Sequence, residues 1–101
     1  MKVQRMTRIL AGKRYDTWKA ELVAHDSYWD GHNWERHGRN RWLWRTAKGA
    51  YFVTTQTQWQ GEQDSLKPVT ESRAITLYET ELTEHELDHA AAFPNVAIED
   101  A

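Results

Sequence analysis

The chain has 101 residues with no cysteine, six tryptophans and a net charge of −2, a length that suits one compact domain and is too short for two. The lack of cysteine excludes disulfides, thiolate zinc sites and cysteine nucleophiles. No apolar run reaches the roughly 18 residues of a membrane span, and no secretory leader is recognisable, so we expect a cytoplasmic protein without membrane contact.

The N-terminal segment predicts extended structure interrupted by a turn. Residues 3–10 are typical of a strand or an arm, and the Gly12-Lys13 pair ends it. Asp16 has a side chain that can cap one helical turn over residues 17–19. We therefore expect short, irregular elements before the first regular strand.

Residues 20–25 predict that strand, with Leu22 and Ala24 on one face and Val23 on the other. A short helix remains an alternative, because the run is brief. Residues 26–40 predict a loop rich in turn-forming residues. A loop of this length that holds two tryptophans either packs on itself or binds something.

The clearest element is a hairpin in the middle of the chain. The segment Arg41–Thr46 alternates between two faces and places Trp42 and Trp44 on the same one. Lys48-Gly49 predicts a turn, and Tyr51–Trp59 is rich in the aromatic and β-branched residues that strands prefer. We expect two antiparallel strands here.

Two helices are predicted in the C-terminal third. Thr70 is the candidate N-cap of the first, and an apolar stripe follows it at helical spacing. For the second, Thr83 and Glu86 match a capping box, with Leu82 and Leu87 spaced as a hydrophobic staple. Phe93-Pro94 ends this second helix.

These elements predict an α+β fold in a single domain, residues 1–101, with a short flexible tail from about residue 95. We expect a small antiparallel sheet of three or four strands, centred on the hairpin and covered on one face by the two C-terminal helices. The candidate core residues are Leu22, Trp42, Trp44, Phe52, Ile75, Tyr78, Leu87 and Phe93.

Catalytic and metal chemistry find little support. His85 and His89 lie four apart on the second predicted helix, a spacing that can chelate a metal, but no third ligand follows from the sequence. Residues 25–37 hold histidines and carboxylates that could serve acid–base catalysis, without a nucleophile elbow or a glycine-rich phosphate loop. We therefore expect no enzyme, no cofactor and no metal, and keep a small hydrolase as the third hypothesis.

The most informative segment is residues 34–48, which carries five cations and one acid and has three tryptophans between them. Cations bind phosphates and aromatic rings stack on bases, whereas Arg and Trp are also enriched in protein–protein hot spots. In the competing interpretation, Trp42 and Trp44 are core and the arginines pair with the acidic C-terminal third. The predicted binding residues are Tyr28, Trp29, Trp34, Arg36, Arg39 and Arg41.

Three stretches carry a family resemblance: GKRYDT (12–17), the Tyr/Trp-rich residues 27–52 and TQWQGE (57–62). The chain resembles small uncharacterised proteins of prokaryotic genomes, plasmids and phages. These similarly have YDT near the start, a Trp-rich hairpin with a basic-Gly turn and an acidic C-terminal helix. The resemblance covers about residues 12–101 and implies no catalytic residue. It implies a role in conflict between a mobile element and its host, such as inhibition of a defence system.

The sequence thus predicts a non-catalytic macromolecule-binding module, with a protein as the first partner class. Nucleic acid, bound by the basic Trp-rich hairpin, is the alternative. Charge adds a prediction of self-association: residues 1–70 carry 12 basic and 7 acidic side chains, net +5, and residues 71–101 carry 1 basic and 8 acidic, net −7. We expect a weak homodimer that also covers an exposed edge of the hairpin.

Overall fold

A computed structural model describes residues 5–26, 39–57 and 64–101. In chain order the elements are β1 (Thr7–Leu10), β2 (Lys13–Asp16), β3 (Glu21–His25), β4 (Arg39–Arg45), β5 (Tyr51–Thr57), β6 (Ser65–Val69), α1 (Glu71–Thr80), β7 (Glu84–His85) and α2 (His89–Ala92). The strands form an antiparallel five-stranded sheet, ordered β6-β5-β4-β3-β7, and a separate β1–β2 hairpin. The α+β class is confirmed, whereas a single sheet of three or four strands is wrong.

The β4–β5 hairpin is the predicted one, and its turn has a clear cause. Gly49 adopts a φ of +86°, a backbone conformation that L side chains rarely adopt. The Thr46 N–H donates to the Ala50 carbonyl at 2.8 Å and closes the turn. Trp44 then lies opposite Phe52 in the register. The glycine therefore fixes which residues of the two strands face each other.

Both edge strands of the large sheet have features that disfavour pairing with a further strand. β6 is one edge and contains Pro68, which lacks a backbone N–H and is tolerated where no further strand pairs. β7, the other edge, has only two residues, which leaves little template for another strand. β4 and β5 are each flanked on both sides, so the expectation of an exposed edge on the central hairpin is wrong.

Both faces of the five-stranded sheet are buried, each against a different partner. On one face, Leu43 packs with residues of α1 and with Phe93, which follows α2. On the other face, Trp42, Trp44 and Phe52 pack with Tyr15 of β2. The prediction that the two hairpin tryptophans share a buried face is confirmed. That face is covered by the N-terminal β1–β2 hairpin rather than by helices.

A β-bulge in β3 changes the predicted alternation of that strand. The pairing of β3 with β4 shifts between Leu22 and Ala24. As a result, Val23 and Ala24 both join the helix-side core, while Leu22 packs against the tryptophan cluster. The expectation that Leu22 and Ala24 share a face is therefore wrong.

The second predicted helix is largely replaced by a strand. The N–H groups of Glu86 and Leu87 donate to the Val23 carbonyl at 2.9 and 3.2 Å, so this segment continues the sheet at its β3 side. The capping box at Thr83 is therefore wrong, and α2 has only four residues, capped by Asp88. The capping box does not form because the Val23 carbonyl of β3 accepts the hydrogen bond from the Glu86 N–H that the Thr83 side chain would have accepted.

The first predicted helix begins as expected. The Thr70 side chain accepts a hydrogen bond from the Arg73 N–H at 3.1 Å, which confirms it as the N-cap of α1. Five of the predicted core residues are buried: Trp42, Trp44, Phe52, Tyr78 and Phe93. Leu22, Ile75 and Leu87 are half-buried at the margins of the two clusters.

Candidate functional site

Most of the predicted contact set lies beyond what the structure describes. Tyr28, Trp29, Trp34 and Arg36 fall outside the described residues, and Arg39 is the first residue of β4. Arg41 is the one member of the set whose side-chain contacts are described. The predicted site therefore stays a prediction. For Arg41 alone, the structure shows which side chains of the same protein it binds.

Arg41 is held by two carboxylates from distant parts of the chain. Its backbone N–H and its Nε donate to Asp26 at 2.7 and 3.1 Å, and its Nη1 donates to Glu81 at 3.0 Å. Arg73 donates to the other oxygen of Glu81 at 3.2 Å. This network ties β4 to the segment after α1, as the competing interpretation of paired arginines predicts for this position.

The network shifts the charges that form it. Hydrogen bonding to Arg41, aided by the charges of Arg41 and Arg73, holds the pKa of Glu81 below its ordinary value. Burial opposes the charge of Arg41, but its bonds to Glu81 and Asp26 still raise the pKa of Arg41. Both groups are therefore firmly charged at neutral pH. About a third of the Arg41 side chain remains exposed and can still meet a partner.

The two hairpin tryptophans are structural. Trp44 is 1% exposed, donates its indole N–H to the Thr54 hydroxyl at 2.9 Å and stacks on Phe52 at 6.2 Å between ring centroids. Trp42 is equally buried. A buried ring has no free face for a nucleic-acid base, so neither can serve as a stacking platform.

The β1–β2 hairpin and the turn after it carry a surface that sequence reasoning missed. Ile9 is 64% exposed, Leu10 is 37% exposed and Trp18 is 65% exposed, and we call these three exposed side chains together the apolar hairpin surface. Ile9 and Leu10 are consecutive in β1, so they project to opposite faces of that strand. Asp16 accepts a hydrogen bond from the Trp18 N–H at 2.9 Å, so the backbone of the turn is fixed while the ring stays in solvent. Asp16 thus caps a turn over the predicted residues 17–19, and its carbonyl accepts from the N–H groups of Lys19 and Ala20 at 3.1 Å.

A groove of about 590 Å³ lies between the β1–β2 turn and the β4–β5 turn. Its lining includes four cations, Lys13, Arg14, Lys19 and Lys48, against one carboxylate, Asp16, and we call it the cationic groove. In the part of the chain that the structure describes, no ion pair involves any of these four cations. The groove therefore concentrates unneutralised positive charge in a protein whose net charge is −2.

The histidine pair is not arranged as the sequence predicts. His85 lies in β7, stacks on Tyr78 at 3.8 Å and has its Nε2 within 2.8 Å of the Tyr78 carbonyl. His89 begins α2 and has its Nε2 3.2 Å from Glu79. The shared helix face is therefore wrong. Within residues 5–26, 39–57 and 64–101, no three His, Cys, Asp or Glu residues are grouped to hold a metal ion.

No family model, curated protein or solved structure matches this chain. The resemblance to small proteins of mobile elements therefore stays a prediction. Among the described helices, none has the length and apolar character needed to cross a membrane.

The missed residues left a weak signal in the sequence. Ile9 and Leu10 adjoin a turn, and Trp18 adjoins Lys19, but nothing in the local pattern distinguishes an exposed apolar side chain from a core one. Lys13 and Lys48 are 35 positions apart, and only the packing of the hairpin on the sheet brings their two turns together. A separation of this kind carries no periodic signal.

Proposed function

We propose that this protein is a non-catalytic module that binds another protein through the apolar hairpin surface. The observation that carries the proposal is the exposure of Ile9, Leu10 and Trp18 on one short segment. Tryptophan is among the residues most enriched in interface hot spots, and burying exposed apolar side chains in an interface is favourable. Trp18 contributes little to the stability of the fold, because its ring lies largely in solvent.

The surroundings of this surface indicate the charge of the partner. Arg8, Lys13, Arg14 and Lys19 are exposed on the same hairpin and the turn after it. A protein partner with an acidic rim around an apolar patch would match this distribution, and the positive field would speed its association. The predicted contact set at residues 28–41 extends the proposal, with Arg41 as its partly exposed member. Inhibition of a defence system, implied by the resemblance, remains one candidate role.

Nucleic acid remains the second candidate because the cationic groove holds four cations without ion pairs to the described residues. The mechanism predicted for it loses support, since Trp42 and Trp44 are buried and cannot stack on bases. The salt dependence of binding distinguishes the two candidate functions. Binding through phosphates weakens steeply with salt, whereas an apolar protein interface is much less sensitive.

The test is affinity capture from a lysate of the source organism, with and without nuclease, followed by titration of the purified partner. We expect Ile9→Ser with Trp18→Ala to abolish capture, while Ile98→Ser, which changes an equally exposed residue in the C-terminal segment, retains it. Thermal melts of all variants control for folding. Capture that persists in the folded double variant, or that disappears after nuclease treatment, contradicts the proposal.

A further inference from the structure

We propose that the cationic groove is a binding site for the oligophosphate group of a small ligand, such as a nucleoside triphosphate. This inference shares Lys13, Arg14 and Lys19 with the charged surroundings of the apolar hairpin surface, but it does not use Ile9, Leu10 or Trp18, and its test needs no protein partner. The side chains that line the groove carry a net charge of +3, because four are cations and one, Asp16, is a carboxylate. Its volume of about 590 Å³ lies within the range of about 300–1,000 Å³ that is typical of small-molecule sites.

The charges in the groove contrast with the arginine network at Glu81. There, Arg41 and Arg73 are neutralised by carboxylates of the same chain. No carboxylate of the described residues forms an ion pair with Lys13, Lys19 or Lys48. Like charges that lie close together without an ion-pair partner repel one another, and an anionic ligand relieves that repulsion on binding.

The position of the lysines suits a ligand with several negative oxygens. Lys13 belongs to β2, Lys19 to the turn after it and Lys48 to the β4–β5 turn, so the cations approach the groove from three segments. Ammonium groups bind phosphate as compact point charges on flexible stems, which allows three of them to converge on one oligophosphate.

The rest of the lining offers an apolar wall beside the charges. Tyr15, Ala20, Ala47 and Ala50 contribute to it. Lys13 and Tyr15 are two residues apart on β2 and therefore project from the same face of that strand. A flat group attached to the phosphates, such as a base, can lie against the alanines of this wall, since Tyr15 is itself only 8% exposed. This combination favours a small, bounded ligand over a long nucleic-acid strand, which would need a continuous track of cations.

The test is isothermal titration with ATP, tripolyphosphate, adenosine and a single-stranded oligonucleotide at low salt. We expect ATP or tripolyphosphate to bind, adenosine not to bind, and Lys48→Gln to weaken binding about tenfold. A further change, Lys19→Gln, should weaken it more. The matched control is Lys67→Gln, which removes an exposed lysine from edge strand β6, outside the groove.

Each outcome decides the inference. Tighter binding of ATP than of tripolyphosphate supports a nucleotide, and equal binding supports a free oligophosphate at the same site. Failure of both anions at 1 mM overturns the proposal, as does an equal loss in Lys67→Gln, which would reflect net charge alone. Binding of the oligonucleotide without ATP or tripolyphosphate also overturns it and assigns the groove to nucleic acid.

Discussion

The hydrogen bond between Trp44 and Thr54 connects two neighbouring strands inside the tryptophan cluster, and it can be tested by mutation. Trp44 is 1% exposed and Thr54 is fully buried, with 2.9 Å between the indole nitrogen and the hydroxyl oxygen. Removing a buried tryptophan side chain costs about 3–5 kcal/mol, which approaches the total stability of about 5–15 kcal/mol of a typical domain. Trp44→Ala should therefore be marginally folded at best.

A gentler pair of changes isolates the hydrogen bond. Trp44→Phe keeps a ring against Phe52 but removes the indole N–H, and we expect a cost of about 2 kcal/mol from lost volume and the lost bond. Thr54→Val leaves the indole N–H buried without its acceptor and should cost about 1–2 kcal/mol. The double variant removes both polar groups, so its cost should fall below the sum by about 1 kcal/mol.

Urea unfolding followed by far-ultraviolet circular dichroism measures these free energies without relying on tryptophan emission. Trp18→Phe is the control and should change stability by less than about 0.5 kcal/mol, because that ring is 65% exposed. Additive costs for Trp44→Phe and Thr54→Val would show that the two groups do not interact energetically. A control variant as damaging as Trp44→Phe would refute the assignment of Trp18 to the surface.

The remaining predictions concern the helix caps and the ion-pair network. Thr70→Ala and Asp88→Ala should each lower the unfolding free energy by about 1 kcal/mol, whereas Thr83→Ala should leave it nearly unchanged, as urea melts would show. Because the folded pKa of Glu81 is lowered, its contribution is complete above the ordinary glutamate pKa and is lost as pH falls through the folded value. Glu81→Gln should therefore flatten the acid limb of the stability curve below the ordinary glutamate pKa of 4.5 and leave the curve above it unchanged in slope, and an unchanged acid limb contradicts this. Arg41→Gln should lower stability by about 1 kcal/mol after allowance for solvent screening, measured at neutral pH and again in high salt.

The elements that the sequence predicts well are those whose signals are local. The β4–β5 hairpin follows from the alternation around Trp42 and Trp44 and from the turn at Gly49, and α1 follows from the N-cap at Thr70. In each case the residues that define the element also satisfy its backbone or bury its face. Contacts with the rest of the fold therefore agree with the local preference and leave these elements as predicted.

The elements that the sequence mispredicts depend on partners far along the chain. Thr83 and Glu86 match a capping box in sequence, but the Glu86 N–H donates its hydrogen bond to the Val23 carbonyl instead. The bulge after Leu22 likewise arises from pairing with β4 and leaves no mark on the local period. The cationic groove belongs to the same class, since Lys13 and Lys48 meet only after the hairpin packs on the sheet.

The separation of the β1–β2 hairpin from the large sheet has a consequence for the dynamics of the protein. Within the described residues, its strands pair only with each other, and side chains such as Tyr15, with its ring edge on Phe52, attach them to the sheet. Units joined by side-chain packing alone can open without global unfolding, so we expect the hairpin to open while the five-stranded sheet stays folded. Each opening would expose the rings of Trp42 and Trp44 to solvent. A ligand or partner that holds the hairpin closed therefore keeps solvent away from these two rings, which it does not touch.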